Sequence, residues 1–300
     1  QWYNLSWLWD VIASVVFQYT GYTGLTLSIV ACGAVIAGYL TSICLGSGAS
    51  ALAVGISVLA ACLLYPAFAT APNSYLSASP NTPTMVFCVI FYAECLKRTR
   101  WFLLPVMMVL WANLHGGFML GLLLIGFFGA VSVLKRDWAG LRIYSFAVAG
   151  CLVAVLINPL GWHIYDGVAT TLGHFAQAHI TEWWSYADNF TMPGSIPGIV
   201  YIAIFVAFEL RHPTASSVPL ESRLLAWLFL LLGFCQYRYM SFFFMFAAVP
   251  LALHLDRLLP KQLNELKVQT SLLVAGIVGM CALPLTLIHV KPALALPQLL

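Results

Sequence analysis

The chain has 300 residues, of which 62% are hydrophobic and only 8% are Asp, Glu, Lys or Arg, with a net charge of +3 and a mean hydropathy of +0.92. A soluble domain carries about 25% charged residues, so the composition excludes a soluble globular protein, and the small net charge does not indicate nucleic-acid binding. The eight cysteines lie singly, nearly all in apolar runs, so neither a zinc site nor a disulfide framework is expected.

Ten mostly apolar runs, bounded by charges or by Gly and Pro, are candidate membrane-spanning helices. The Trp-rich segment 1–20 precedes them and is expected to be interfacial, because Trp prefers the headgroup level of a bilayer. We predict an all-α fold, a single transmembrane domain over residues 1–300 that forms a polytopic bundle of about ten helices. The runs are 22–45, 49–70, 84–96, 102–113, 118–134, 143–157, 196–210, 224–235, 241–255 and 271–289.

The basic residues alternate along this arrangement. Eleven of the thirteen Lys and Arg fall in every second loop, which the positive-inside rule places in the cytoplasm. The opposite loops carry acidic, amide, histidine and aromatic side chains, with only Arg238 and Lys291 as basic residues. The longest of them, 158–193, has a length typical of functional loops, and its segment 164–174 predicts a short interfacial helix. The polar, potentially reactive side chains are therefore expected on the extracytoplasmic side.

The turn at 111–118 has the sequence WANLHGGF. Gly116 and Gly117 break the helix and let backbones approach closely. Asn113 and His115 then lie at the outer membrane boundary, where they can face a ligand cavity and His115 can transfer a proton. The alternative is a hairpin turn whose side chains cap the adjoining helix ends.

The long outer loop contains a second group of candidates. Asn158 ends the sixth apolar run and either caps that helix or binds a ligand. Glu182 lies beside Trp183 in the sequence HITEWW, where a carboxylate can hold a divalent cation, act as a general base or bind sugar hydroxyls. His179 is the second candidate metal ligand, although its spacing matches no strong zinc pattern. The alternative is a belt of interfacial Trp with one solvated Glu.

The remaining candidate site residues are two charged ones, Arg238 and Asp10. Arg238 is flanked by tyrosines, one of them Tyr239, and its planar fork suits bidentate contacts to a phosphate. It can instead pair with Asp10, with Glu182 or with a lipid headgroup. Asp10, in the Trp-rich segment, is either a catalytic acid or a solvated helix residue.

In chain order, the segments WLWD (7–10), WANLHGGF (111–118), NPLG (158–161), ITEW (180–183) and RYMSFF (238–243) resemble bacterial integral-membrane proteins of the GT-C glycosyltransferase superfamily. The resemblance implies a multi-helical membrane domain of the bacterial inner membrane, a polyprenyl-phosphate-linked sugar donor and a periplasmic active site. It also implies a catalytic acid soon after a first helix that this sequence lacks, so the acid is either Asp10 or a residue upstream. The segment ITE lacks the leading Thr of the acidic motif in the oligosaccharyltransferase branch.

We therefore predict a membrane glycosyltransferase that moves a sugar from a lipid-linked phosphate donor on the extracytoplasmic side. Its expected partners are that donor and membrane lipids, not nucleic acid, and its candidate cofactor is Mg²⁺ or Mn²⁺. The alternatives are a transporter or flippase of a lipid-linked or small polar substrate, an enzyme of the O-antigen ligase or polymerase type, and a non-catalytic subunit of an envelope complex. The site residues are Asp10, Glu182 and His115 (catalytic), Asn113, Asn158, Trp183, Arg238 and Tyr239 (substrate-binding), and Glu182 with His179 (metal).

Overall fold

The computed structural model describes residues 3–69, 81–172, 179–180, 183–190, 195–211 and 218–260. In these ranges the regular structure is helical, with ten α-helices and several short 3₁₀ turns, so the predicted all-α fold is confirmed. The helices are α1 (Trp7–Gly46), α2 (Ala51–Ala69), α3 (Asn81–Lys97), α4 (Leu104–Leu114), α5 (Met119–Leu134), α6 (Trp138–Val155), α7 (Ile164–Leu172), α8 (Ser195–Arg211), α9 (Leu220–Cys235) and α10 (Met240–Leu258).

Among the residues that the structure describes, four helical stretches are long and apolar enough to cross a membrane, and they lie in α1, α5, α6 and α10. Two shorter apolar helical stretches lie in α2 and α4. A helix satisfies its own backbone hydrogen bonds, which is what a bilayer interior requires. These helices indicate that the chain is a multi-pass integral membrane protein.

Nine of the ten predicted runs coincide with a helix, and the tenth, 271–289, lies outside the described residues. The short helix expected in the long loop is confirmed as α7. Residues 7–20 of the predicted interfacial segment and the run 22–45 are the two helical parts of α1, which meet at a kink, so the predicted separation of the two segments is confirmed. That helix is broken at Gly21, whose φ of 62° and ψ of −154° are not helical, and glycine adopts such a conformation at little cost.

Helix α10 is the centre of the bundle. Every residue from Met240 to His254 is buried, and the helix packs mainly against α2 and α9. Its buried phenylalanines pack against the rings of neighbouring helices, and Phe243 meets Phe205 edge-on at 5.3 Å between ring centroids. Helix α3 packs between α1 and α5, and α6 packs against α4 and α5. Close packing of this kind holds helices together where no water is present to drive apolar association.

One face of the bundle gathers the basic loops, and we call it the basic face. It comprises the helix ends and loops around residues 46–50, 95–100, 134–142, 209–211, 219–223 and 254–258. Arg98 at the end of α3 forms an ion pair with Asp137 at the start of α6, and Lys135 Nζ lies 2.7 Å from Glu221 Oε1 at the start of α9. The described basic loops therefore lie on one face of the bundle, as the alternation of basic residues in the sequence predicts.

Asp137 also begins α6. Its carboxylate accepts a hydrogen bond from the Gly140 N–H at 2.9 Å, a normal N-cap contact. That backbone contact and the Arg98 guanidinium together lower the pKa of the Asp137 carboxyl. Arg98 Nε in turn donates to the Tyr144 hydroxyl at 2.9 Å, and that hydroxyl donates to the Cys95 carbonyl at 2.7 Å. The ends of α3 and α6 are thus joined by a continuous set of polar contacts.

Candidate functional site

Opposite the basic face, three turns come together, and we call this side the site face. They are the turn at 113–118 between α4 and α5, the turn at 158–161 after α6, and the turn at 236–239 between α9 and α10. Six of the predicted site residues belong to these turns or contact them. They are Asn113, His115, Asn158, Trp183, Arg238 and Tyr239.

Asn113 joins three helices. Its Oδ1 accepts a hydrogen bond from the Trp7 indole N–H at 3.0 Å, and its Nδ2 donates to the carbonyl oxygens of Val109 at 2.7 Å and Ile157 at 2.8 Å. The side chain is 7% exposed, and both of its N–H groups are used. The structure therefore gives Asn113 a role in holding α1, α4 and the end of α6 together, and its role in binding substrate stays a prediction.

His115 is fixed by a short relay of hydrogen bonds. Its Nδ1 accepts from the Gly117 backbone N–H at 3.1 Å and lies 2.8 Å from the Thr84 hydroxyl oxygen. That oxygen accepts from the Trp111 indole N–H at 3.1 Å, so the Thr84 proton is directed to Nδ1. Because Nδ1 is an acceptor in this network, the neutral ring carries its proton on Nε2.

The charge state of His115 follows from its surroundings. Burial, and then the positive charge of Arg238, lower the pKa of His115 to about 3. The imidazole is therefore neutral between pH 5 and 8, and its conjugate acid is too strong for efficient proton transfer near neutral pH. Among the described residues, no hydrogen-bond partner is in reach of Nε2. A neutral ring with a free Nε2–H is suited to donate a hydrogen bond to an anionic ligand.

Arg238 lies against two aromatic rings. Its Cζ is 4.3 Å from the Trp183 ring centroid and 6.0 Å from the Tyr239 centroid. Stacking of this kind holds the plane of the guanidinium and leaves its N–H groups available at the edge. In the part of the chain that the structure describes, Asp10 bonds instead to Asn4, and no carboxylate pairs with Arg238.

The described part of the long loop is attached to the turn that carries Arg238. The Tyr237 N–H donates to the Trp184 carbonyl at 2.8 Å, and the Tyr186 N–H donates to the Phe234 carbonyl at 3.1 Å. The Tyr186 and Tyr237 rings are also stacked, with centroids 5.9 Å apart and an interplanar angle of 27°. These contacts hold the loop so that the neighbouring Trp183 covers the arginine.

No protein-family model, curated protein or solved structure matches this chain. The resemblance to the GT-C superfamily therefore depends on the short sequence motifs alone.

Asn158 and Asp10 make local contacts. Asn158 Oδ1 accepts from the Leu160 N–H at 2.7 Å, and its Nδ2 donates to the carbonyl oxygens of Val155 and, at 3.3 Å, of Gly161. Asn158 therefore caps the end of α6, one of the two roles predicted from the sequence. The other role, ligand binding, stays a prediction. Asp10 is exposed in the first turn of α1, where a carboxylate is favoured by the helix dipole.

Of the two predicted metal ligands, the structure describes His179 but not Glu182. His179 is exposed, and Glu182 lies outside the described residues. Within the described ranges, no group of three or more His, Cys, Asp or Glu side chains is arranged to hold a metal ion. The described residues do not by themselves form a site for Mg²⁺ or Mn²⁺, so the metal stays a prediction.

Thr84 is a residue of the site face that the sequence does not predict. It lies at the start of α3 in the sequence NTPTM, which carries no local indication of function. Its partner His115 is 31 residues further along the chain, so only the packing of α3 against the α4–α5 turn brings the two together.

Replacing Gly117 with alanine is expected to break the contact between Thr84 and His115. A Cβ at Gly117 would lie 2.4 Å from Thr84 Oγ1 and 2.8 Å from His115 Nδ1. Thr84 is β-branched and stiff, so the neighbours cannot yield without losing their hydrogen bond. We expect the free energy of unfolding to fall by about 1–3 kcal/mol, measured by unfolding in detergent. Gly126→Ala is the control, since a Cβ there meets no heavy atom within 4 Å; equal losses for both variants would refute the steric explanation.

Proposed function

We propose that the protein is a membrane glycosyltransferase of the GT-C type. It transfers a sugar from a polyprenyl-phosphate-linked donor on the extracytoplasmic side of the bacterial inner membrane, the side of the site face. The main support is the guanidinium of Arg238, which is stacked on Trp183 and has no carboxylate partner among the described residues. A cation at the membrane boundary without such a partner is suited to an anionic ligand.

The leaving group explains why a phosphate is the preferred anion. When a sugar leaves a polyprenyl phosphate, negative charge develops on the phosphate oxygens. Preorganised donors that face this charge stabilise the transition state more than the ground state. The fork of Arg238 can donate two parallel N–H groups, and the neutral His115 can add its Nε2–H. In this proposal both residues bind the phosphate, and His115 does not act as a base.

The acceptor hydroxyl requires a separate base. Asp10 is exposed near the start of α1, and the side chain that contacts its carboxylate is the neutral amide of Asn4 at 2.9 Å. A solvated carboxylate of this kind can accept the proton of a hydroxyl. Asp10, or an acid upstream of it, is therefore proposed as the base, and Glu182 is proposed to orient the sugar.

Transport of a lipid-linked or polar substrate is the main alternative. A transporter needs polar side chains along a path through the bundle. The buried charged group that the structure describes, around Glu209, lies on the basic face and not at the site face. This separation favours a reaction at one surface over passage through the bundle.

The proposal is tested by comparing two ligands that differ only in the phosphate. Purified protein in nanodiscs is titrated with a polyprenyl phosphate and with the corresponding polyprenol, and a panel of polyprenyl-phosphate sugars is then assayed for release of polyprenyl phosphate. We expect the phosphate to bind at least about ten-fold more tightly, the effect of one or two charge-assisted hydrogen bonds. Equal affinities would refute the phosphate site. Binding without sugar release from any donor would favour the transporter or the subunit.

A further inference from the structure

A pocket of about 370 Å³ opens on the basic face, on the opposite side of the bundle from Arg238. This volume is in the range of small-molecule sites. Five helices contribute to its wall: the ends of α1 and α3, the start of α9, and side chains from α5 and α6. Phe128 lies six residues before the last residue of α5, so the pocket extends about 9 Å below the helix end.

One of the basic side chains that line this pocket forms no ion pair among the described residues. Arg98 pairs with Asp137, and Glu221 pairs with Lys135 at 2.7 Å. Lys97 also lines the pocket, but in the described part of the structure its Nζ contacts only the neutral Ser42 hydroxyl, at 3.3 Å. The pocket wall therefore has one positive charge that no described carboxylate neutralises.

The mouth of the pocket lies at the level of the membrane surface. Trp101 begins the segment after the Lys97–Arg100 loop, and Trp138, which is 64% exposed, follows Asp137 directly. Trp side chains concentrate where the hydrocarbon of a bilayer meets the headgroups. The basic side chains at these same loops are therefore within reach of phospholipid phosphates.

We propose that this pocket binds the headgroup of an anionic phospholipid, with the lipid phosphodiester at Lys97 and headgroup hydroxyls at Glu221 and Ser47. A phosphodiester carries one negative charge, which matches Lys97, the cation of the pocket lining that has no ion pair among the described residues. The carboxylate of Glu221 and the hydroxyl of Ser47 line the same pocket and can bond to a polyol headgroup such as that of phosphatidylglycerol. The apolar floor at Phe128 excludes water beneath these contacts. Basic pockets between transmembrane helices are established as sites for anionic headgroups.

The test measures lipid affinity and does not depend on enzymatic activity. The full chain, in a neutral detergent, is titrated by native mass spectrometry with phosphatidylglycerol, phosphatidylcholine and inorganic phosphate. Lys97→Gln is expected to weaken phosphatidylglycerol binding about five-fold, the effect of one cation near a charged surface. Arg100→Gln is the matched control, because Arg100 is exposed on the same loop and does not line the pocket.

A second variant tests the pocket by its volume instead of its charge. Gly46 lines the pocket, and a Cβ there meets no heavy atom within 4 Å, so Gly46→Leu has room for its side chain. It is expected to remove phosphatidylglycerol binding while leaving the folded protein intact. Three results would overturn the proposal: equal affinity for phosphatidylglycerol and phosphatidylcholine, equal losses for Lys97→Gln and Arg100→Gln, or inorganic phosphate binding as tightly as the lipid. The last result would identify a soluble phosphoanion as the ligand.

Discussion

Arg238→Ala is expected to reduce the affinity for polyprenyl phosphate about 100-fold, since each charge-assisted hydrogen bond contributes about 1.5–3 kcal/mol. The loss is large because the guanidinium already lies against Trp183, at 4.3 Å from its ring centroid, and needs little rearrangement to bind. Affinity is measured by titrating nanodisc-embedded protein with the lipid. The rate of sugar release is expected to fall at least as far, because the developing charge is larger in the transition state.

Two further variants separate the charge of Arg238 from its shape. Arg238→Lys keeps the positive charge but loses the planar fork and the stacking, so we expect an intermediate loss of about ten-fold. Arg142→Ala removes an exposed arginine from the basic face and is expected to leave donor binding unchanged. If Arg238→Ala bound the lipid as tightly as the wild type, the phosphate would have to bind elsewhere.

Glu209→Ala is expected to lower the free energy of unfolding by about 3–5 kcal/mol, because it removes the buried carboxylate to which Arg223 and His254 both bond. Glu209 is 3% exposed and accepts from Arg223 Nε and His254 Nε2, each at 2.8 Å. The Trp227 indole N–H lies 3.4 Å from the same carboxylate. The group links α8, α9 and α10, so its loss should loosen the bundle at the basic face.

The measurement is the unfolding midpoint in detergent, compared with that of a neighbouring variant. Leu210→Ala is the control, because Leu210 is 71% exposed on the same helix and its truncation should change stability little. Glu209→Gln keeps an oxygen acceptor and is expected to lose less than Glu209→Ala. A loss for Glu209→Ala no greater than that for Leu210→Ala would show that the charged group contributes nothing to stability.

The sequence predicts the helices well because the length of an apolar run is a local property. Nine of the ten runs follow from composition and length, and the short helix α7 follows from the mild amphipathicity of its segment. The boundary at Gly21 is also local, since a glycine interrupts the run there. The alternation of basic residues likewise predicts which loops share a face, because each crossing of the membrane reverses the side.

The contacts within the site are not local, and the sequence could not predict them. The sequence offers His115 as a candidate, but its pKa and tautomer depend on Thr84 in α3 and on Arg238 in the turn before α10. Asn113 looks like a ligand residue in the sequence, yet its amide is engaged by Trp7 and Ile157. Stacking of Arg238 on Trp183 depends on backbone contacts between a long loop and a distant turn.

The position of Arg238 has a consequence for how a ligand is recognised. The arginine lies two residues before the start of α10, the helix that is buried from Met240 to His254. Moving its backbone would require the whole interior of the bundle to repack, which costs far more than a ligand contact returns. The guanidinium is therefore a fixed reference point. In the proposed function, a lipid phosphate would bind only when its own tail and sugar can adjust to the arginine.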